Sequence, residues 1–231
     1  MNLQKSFLLI LITAVFHINA QISPGIYHSN QDNVSYELKL DNAYFILSVY
    51  EKSPAKFIRT LGGFYTLSGE TLSVNLEFDS NFKEDGAKTL EIPYKLKGQD
   101  LLLKFEGELR FTKSKNPKQD LDGAWLFATR GPDTGQERRG DENPRKTLKF
   151  LLDGRFQWIA YNIKSMEFFG TGGGAFTSKG GTYLENIEYF SRDNSRTGAS
   201  LKFDYELKGK DWHHKGLNSK GEPMYEIWSR R

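Results

Sequence analysis

The side chains of this sequence that could do chemistry are few: the pair His213-His214, the carboxylates Glu167, Glu185 and Glu188, a glycine cluster at 170–181, and the arginines at 130–145. The histidines suggest a metal site or a proton-transfer group. Neighbouring residues of a strand point to opposite faces, so the pair cannot chelate one ion, and no third ligand stands at a defined spacing. No metal and no cofactor are expected. The chain has no cysteine, no Gly-x-Ser-x-Gly elbow and no His-Glu-x-x-His helix, so no catalytic residue is assigned. An enzyme on this chain would have to use His214 or Glu167 as an acid or base in a cleft.

Gly170-Thr171-Gly172-Gly173-Gly174 has the composition of a phosphate cradle, but such a cradle needs a helix behind it. The residues behind it, Thr182 to Tyr189, alternate between polar and apolar as a strand does. An earlier stretch, Thr60-Leu61-Gly62-Gly63, matches it at a constant offset. The glycines therefore read as a corner or bulge of a duplicated plan.

The differences between the two copies point elsewhere. Only 30–33 join the first two strands of the first copy, whereas the second inserts a long polar stretch between Thr129 and Lys146. Connections this long are functional or disordered. Arg138, Arg139 and Arg145 within it could meet an anionic group bidentately. Trp125, Phe127, Phe156, Trp158, Phe203, Tyr205 and Trp212 would line a cavity or fill it. His214 joins them if Trp212 and His214 face inward, as the matching Leu101 and Leu103 suggest. Arg130 and Tyr161 are candidate rim anchors, and Arg192 to Arg196 is a charged turn expected at the opposite end.

The elements that must position these residues are strands. Turn residues interrupt period-two alternation every 8–12 positions from Ser23 onward, and aromatics make up 14 % of the chain. Residues 1–20 read as a signal peptide, with Lys5 before an apolar run from Phe7 to Phe16 and cleavage after Ala20. The apolar run is short of the ~20 residues that span a bilayer, so no transmembrane span is expected and the protein is expected to be exported, to a periplasm or beyond. A first unit at 21–113, a polar linker at 114–121 and a second unit at 122–231 make up the rest. Tyr36 to Tyr44 is echoed by Leu148 to Phe156, Leu90 to Asp100 by Leu201 to Asp211, and Leu109 to Phe111 by Tyr225 to Trp228. Each unit holds about eight strands, which predicts an all-β protein of two tandem antiparallel up-and-down barrels, with β-sandwiches as the alternative. The net charge of +3 is spread among both signs, which gives no nucleic-acid footprint.

Gly123-Ala124-Trp125 opening a first strand, with an arginine near the end of the last, resembles the lipocalin (calycin) superfamily. The resemblance implies that Trp125 closes the barrel base, with Gly123 matching the family's glycine, and that Arg230, or alternatively Arg231, packs across it. In the first copy Gly25, Tyr27 and Arg110 stand at the matching places. The second copy is also similar to lipocalin-like domains of uncharacterised secreted bacterial proteins through Phe156 to Tyr161 and Phe190 to Arg196. The expected function is binding of a small amphipathic or anionic ligand at the mouth of the second barrel, covered by 130–145. Arg130, Arg138, Arg139, Trp158, Tyr161, Tyr205, Trp212 and His214 are the candidate contacts. An interaction module docking a cell-surface partner, or a barrel-mouth hydrolase or isomerase, are the alternatives.

Overall fold

The computed structural model describes residues 21–218 and 220–231; the leader expected over 1–20 lies outside them. Strands β1 (Gly25–Gln31), β2 (Val34–Leu40), β3 (Tyr44–Lys52), β4 (Ala55–Ser68), β5 (Thr71–Asp79), β6 (Thr89–Lys97), β7 (Asp100–Lys104) and β8 (Glu108–Lys113) form one barrel, closed where β1 meets β8. Strands β9 (Gly123–Arg130), β10 (Arg145–Leu152), β11 (Arg155–Asn162), β12 (Glu167–Lys179), β13 (Thr182–Phe190), β14 (Ser200–Lys208), β15 (Asp211–Leu217) and β16 (Pro223–Arg230) form the second, closed where β9 meets β16. Within each barrel, every strand pairs antiparallel with its sequence neighbours. Both sheets close on themselves, which removes the edges that a sandwich would leave.

The alternation that makes these strands is plain in β13, where Tyr183, Glu185, Ile187 and Tyr189 are buried and the residues between them are half-buried. Asp153 and Gly154 supply the two positive φ angles, 47° and 75°, of the tight β10–β11 hairpin. The glycine clusters are bulges inside two long bent strands, β4 and β12. The register shifts between Gly62 and Gly63, and again between Gly173 and Gly174. A Cβ on Gly63 would stand 1.9 Å from the Asn75 carbonyl oxygen, and one on Gly174 2.0 Å from that of Asn186. Backbone approach, not anion binding, requires glycine there.

The hairpin equivalence corrects the sequence alignment by one residue. Leu38 pairs with Tyr27 and Leu47, and Lys149 pairs with Trp125 and Trp158. Tyr36 therefore corresponds to Thr147, not Leu148. A one-residue slip exchanges the two faces of a strand, and the corrected register turns Lys149 into the barrel.

At the base of the second barrel, Gly123, Trp125 and Arg230 pack together. The Trp125 indole N–H donates to the Leu121 carbonyl at 2.8 Å, and the Arg230 guanidinium lies 3.8 Å from the centre of the ring system. Arg230 also donates to the Asp122 carbonyl at 2.7 Å, and a Cβ on Gly123 would collide with its Nη1 at 1.6 Å. Arg231 turns elsewhere, to Glu77. In the first barrel the matching cation is Lys113, whose Nζ is 5.7 Å above the Tyr27 ring, and not Arg110, which pairs with Asp100 at 2.5 Å. Arg110 falls short of the base position because Tyr27 pairs with Lys113, at the end of β8.

The barrels pack side by side, with a core of their own between them. Tyr44, Ile46 and Phe78 from the first meet Leu126, Leu148, Phe150, Ile159 and Tyr161 from the second. Polar groups are buried in the same seam. Glu37 forms ion pairs with Lys39 and, at 2.5 Å, with Arg155, which also holds Glu188 at 2.5 Å. The Gln157 amide donates to Thr60 at 2.9 Å and Thr171 at 3.0 Å, two threonines at equivalent places in the two copies. Burial pushes the Glu37 carboxyl up, but Arg155 and Lys39 outweigh it and hold it at about 2.

Candidate functional site

The end of the second barrel away from Trp125 opens into a cavity of about 340 Å³. Up-and-down order places the connections 131–144, 163–166 and 191–199, and the one from β15 to β16, at this end. Trp158, Ile187, Phe190, Phe203, Met224 and Trp228 form its apolar walls. Lys149, Glu185, His214 and Glu226 project from four different strands into the same space. An outer cleft of about 570 Å³ shares Thr147, Glu226 and Trp228 with it, and Arg130, Glu137, Arg138 and Arg139 flank that cleft.

The geometry inside is ordered. The Lys149 ammonium donates to Glu185 Oε1 at 2.9 Å, and the Tyr183 hydroxyl donates to the same oxygen at 2.7 Å. Lys149 Nζ also lies 5.0–5.7 Å from the ring centres of Trp212, Tyr183, Trp228 and Phe203. Such a cage stabilises a desolvated cation. His214 is 2 % exposed, and among the described residues neither ring nitrogen has a hydrogen-bond partner. Its Nδ1 is 3.8 Å from Glu226 Oε2, an electrostatic contact too long for a hydrogen bond. Burial, and after it the charge of Lys149, bring the imidazole down to about 4, so it is neutral at physiological pH. Burial raises the Glu226 carboxyl, but His214, Lys149 and the Trp228 indole N–H, which donates at 3.2 Å, outweigh it and leave it lowered.

The first barrel supplies the control for this arrangement. Pairing registers match Lys149 with Leu38, Glu185 with Val74, His214 with Leu103 and Glu226 with Leu109. All four residues of the first barrel are buried in its apolar core. The fold closes without ionisable groups at these levels, and burying them is costly.

The candidate residues separate in the structure. His214 and Trp158 line the cavity, and Arg130, Arg138 and Arg139 flank the outer cleft. Trp212 is fully buried beneath them, 5.7 Å from Trp125 and 5.9 Å from Trp228 between ring centres. Tyr205 is not among the cavity-lining residues; its hydroxyl donates to Asp120 at 2.5 Å. Tyr161 sits in the seam between barrels, donating to Glu77 at 2.7 Å, because its place in β11 turns it outward from the second barrel. His213 also points outward, with Nδ1 2.7 Å from the Tyr225 hydroxyl. Glu188 belongs to the seam, and Glu167 is exposed and outside the cavity, which leaves His214 as the one of the two acid–base candidates that faces it.

Two placements differ from expectation. The segment 131–144 does not arch over the opening. The Arg139 amide donates to the Ala128 carbonyl at 2.8 Å, and Arg138 reaches Asp211, at the base end of β15, at 2.7 Å. The segment thus runs back along the outer side of β9, where its polar groups find partners. The turn at 192–196 is at the same end as the cavity, and Arg196 lines the opening. Strands β10 to β13, an even number, separate the two connections, which puts them on one side.

Lys149, Glu185, Glu226 and Arg196 line the cavity, and the sequence did not single them out as contacts. The signal for the first three was a charged residue opposite an apolar one in the other copy, which the one-residue slip in the hairpin hid at Lys149. Among the described residues no group of three or more acidic, histidine or cysteine side chains is placed to hold a metal ion. No helix among them is long and apolar enough to cross a membrane. No family model and no curated protein sequence matches the chain.

Proposed function

We propose that this chain is an exported, lipocalin-like binding protein whose second barrel holds a small amphipathic molecule. The observation that carries the reading is the replacement of four core residues of the first barrel by Lys149, Glu185, His214 and Glu226 around a cavity. Ionisable groups in a barrel core cost stability, and a ligand that pairs with those left open, His214 and Glu226, explains why one copy has them and the other lacks them. Apolar walls at Trp158, Phe190 and Met224 suit a carbon skeleton, and the polar level at His214 and Glu226 suits its head group. The base formed by Trp125 and Arg230 supports the family reading, and the Lys5-led apolar leader supports export.

Trp158 and Trp228 in the cavity wall make binding directly visible. Titration with the neutral fluorophore 1-aminoanthracene is expected to quench tryptophan emission and saturate at one probe per chain. Leu38→Lys in the first barrel should add no second site. A response that does not saturate, or that is unchanged in Trp158→Phe and Trp228→Phe variants, would overturn the reading.

A further inference from the structure

The charges that face the cavity define its ligand more narrowly. Lys149 and Glu185 neutralise each other at 2.9 Å, and the remaining hydrogen bond to that Glu185 oxygen comes from Tyr183. Glu226 has no such partner. Among the described residues no lysine or arginine forms an ion pair with its carboxylate, whose neighbours are the Trp228 indole N–H at 3.2 Å and His214 at 3.8 Å. Beside it stands the imidazole of His214, buried, with both nitrogens unpartnered. A neutral imidazole carries one acceptor nitrogen and a carboxylate accepts only, so this corner offers negative charge and acceptors. The Phe203 ring lies 4.4 Å from that of His214 and the Trp228 indole reaches Glu226, with Trp158 and Phe190 lining the same cavity. Carboxylate, acceptor nitrogen and aromatic walls together are the chemistry that recognises a cation. Arg196, on the connection 191–199, brings positive charge to the opening. Arg138 is committed to Asp211, and Arg139 lies over the Phe127 ring at 5.2 Å.

We propose that the ligand's polar group is a protonated primary amine, ion-paired with Glu226 and hydrogen-bonded to His214, with its apolar body against the four aromatic rings. The inference rests on the second-barrel cavity being a ligand site, and it replaces the anionic class with a cationic one. A ligand carboxylate at this level would instead face Glu226, with the Lys149 ammonium already bonded to Glu185.

The test uses the full chain and three probes that differ only in head group: nonylamine, nonan-1-ol and nonanoate, each displacing 1-aminoanthracene at neutral pH. Nonylamine is expected to bind about tenfold or more tighter than the other two. Glu226→Gln should bring the amine to the level of the alcohol and leave the alcohol within about threefold. Glu226→Leu, which installs the residue of the first barrel, should do the same and guards against a folding defect in the amide variant. Nonanoate binding as tightly as nonylamine, or amine affinity unchanged in both variants, overturns the amine assignment while leaving the cavity a binding site. Failure of the fluorophore and all three probes to bind overturns the cavity reading itself, and the amine assignment with it.

Discussion

Lys149 and Glu185 show what a single residue costs in this interior. Both are nearly inaccessible, and each is the other's principal charge partner. Lys149→Met removes one charge and leaves Glu185 buried beside Tyr183, so a loss of about 3–5 kcal/mol is expected in chemical denaturation. Lys149→Leu combined with Glu185→Val copies the first barrel and should unfold at the same or higher denaturant concentration than the parent. A double variant as unstable as the single one would show that the pair is needed for folding. His214 gives a pH signature at the same site. Its folded pKa of about 4 lies below the ordinary 6.5, so the unfolded chain takes up a proton first as pH falls. The stability contributed by the neutral ring is full above pH 6.5 and is lost as pH falls toward 4, by about 3 kcal/mol at the acid end. Thermal melts of His214→Leu should therefore lose less between neutral pH and about pH 4.5 than melts of the parent. An identical slope in the two proteins would contradict the buried, neutral assignment.

At the scale of elements, the strands and their closure were legible because alternation and turn chemistry are local. Gly62-Gly63 and Gly173-Gly174 announced the repeat, and Gly123, Trp125 and Arg230 announced the base of the second barrel. Register was the part that could not be read. In the hairpin carrying Lys149, one residue of slip hides a charged side chain in the interior, and no composition rule detects it. Seam residues were illegible for a related reason. Tyr161, Gln157 and Arg155 alternate outward from their barrel like solvent-facing residues, and only docking against the first barrel buries them. The base gives the sharpest test at this scale. Gly123 has φ +138°, and any Cβ there meets the Arg230 guanidinium. Gly123→Ala should displace Arg230 from Trp125, lowering stability by about 1–3 kcal/mol and changing near-ultraviolet circular dichroism from tryptophan. An unperturbed spectrum and melt would remove the packing role assigned to this glycine.

For the whole molecule, the seam makes two barrels into one object. Leu148, Phe150, Ile159 and Phe78 would all be uncovered by separation, together with Glu37, Lys39 and Arg155. Glu37→Gln should cost about 3–5 kcal/mol at neutral pH, since it leaves two buried cations short of an anion. Glu37 is depressed to about 2 from the ordinary 4.5, so its contribution is present above 4.5 and lost as pH falls through about 2. The gap between parent and variant should narrow over that interval, and a constant gap would contradict the buried pairing. On the proposed function, the first barrel is a closed apolar platform and the second holds the ligand. Native mass spectrometry after incubation with cell extract tests that division most directly, comparing the parent with the variant carrying Lys149→Leu, Glu185→Val, His214→Leu and Glu226→Leu. The parent is expected to retain one small molecule per chain, and the variant to fold and retain none. Equal retention by both, or a folded parent that retains nothing, would contradict the account.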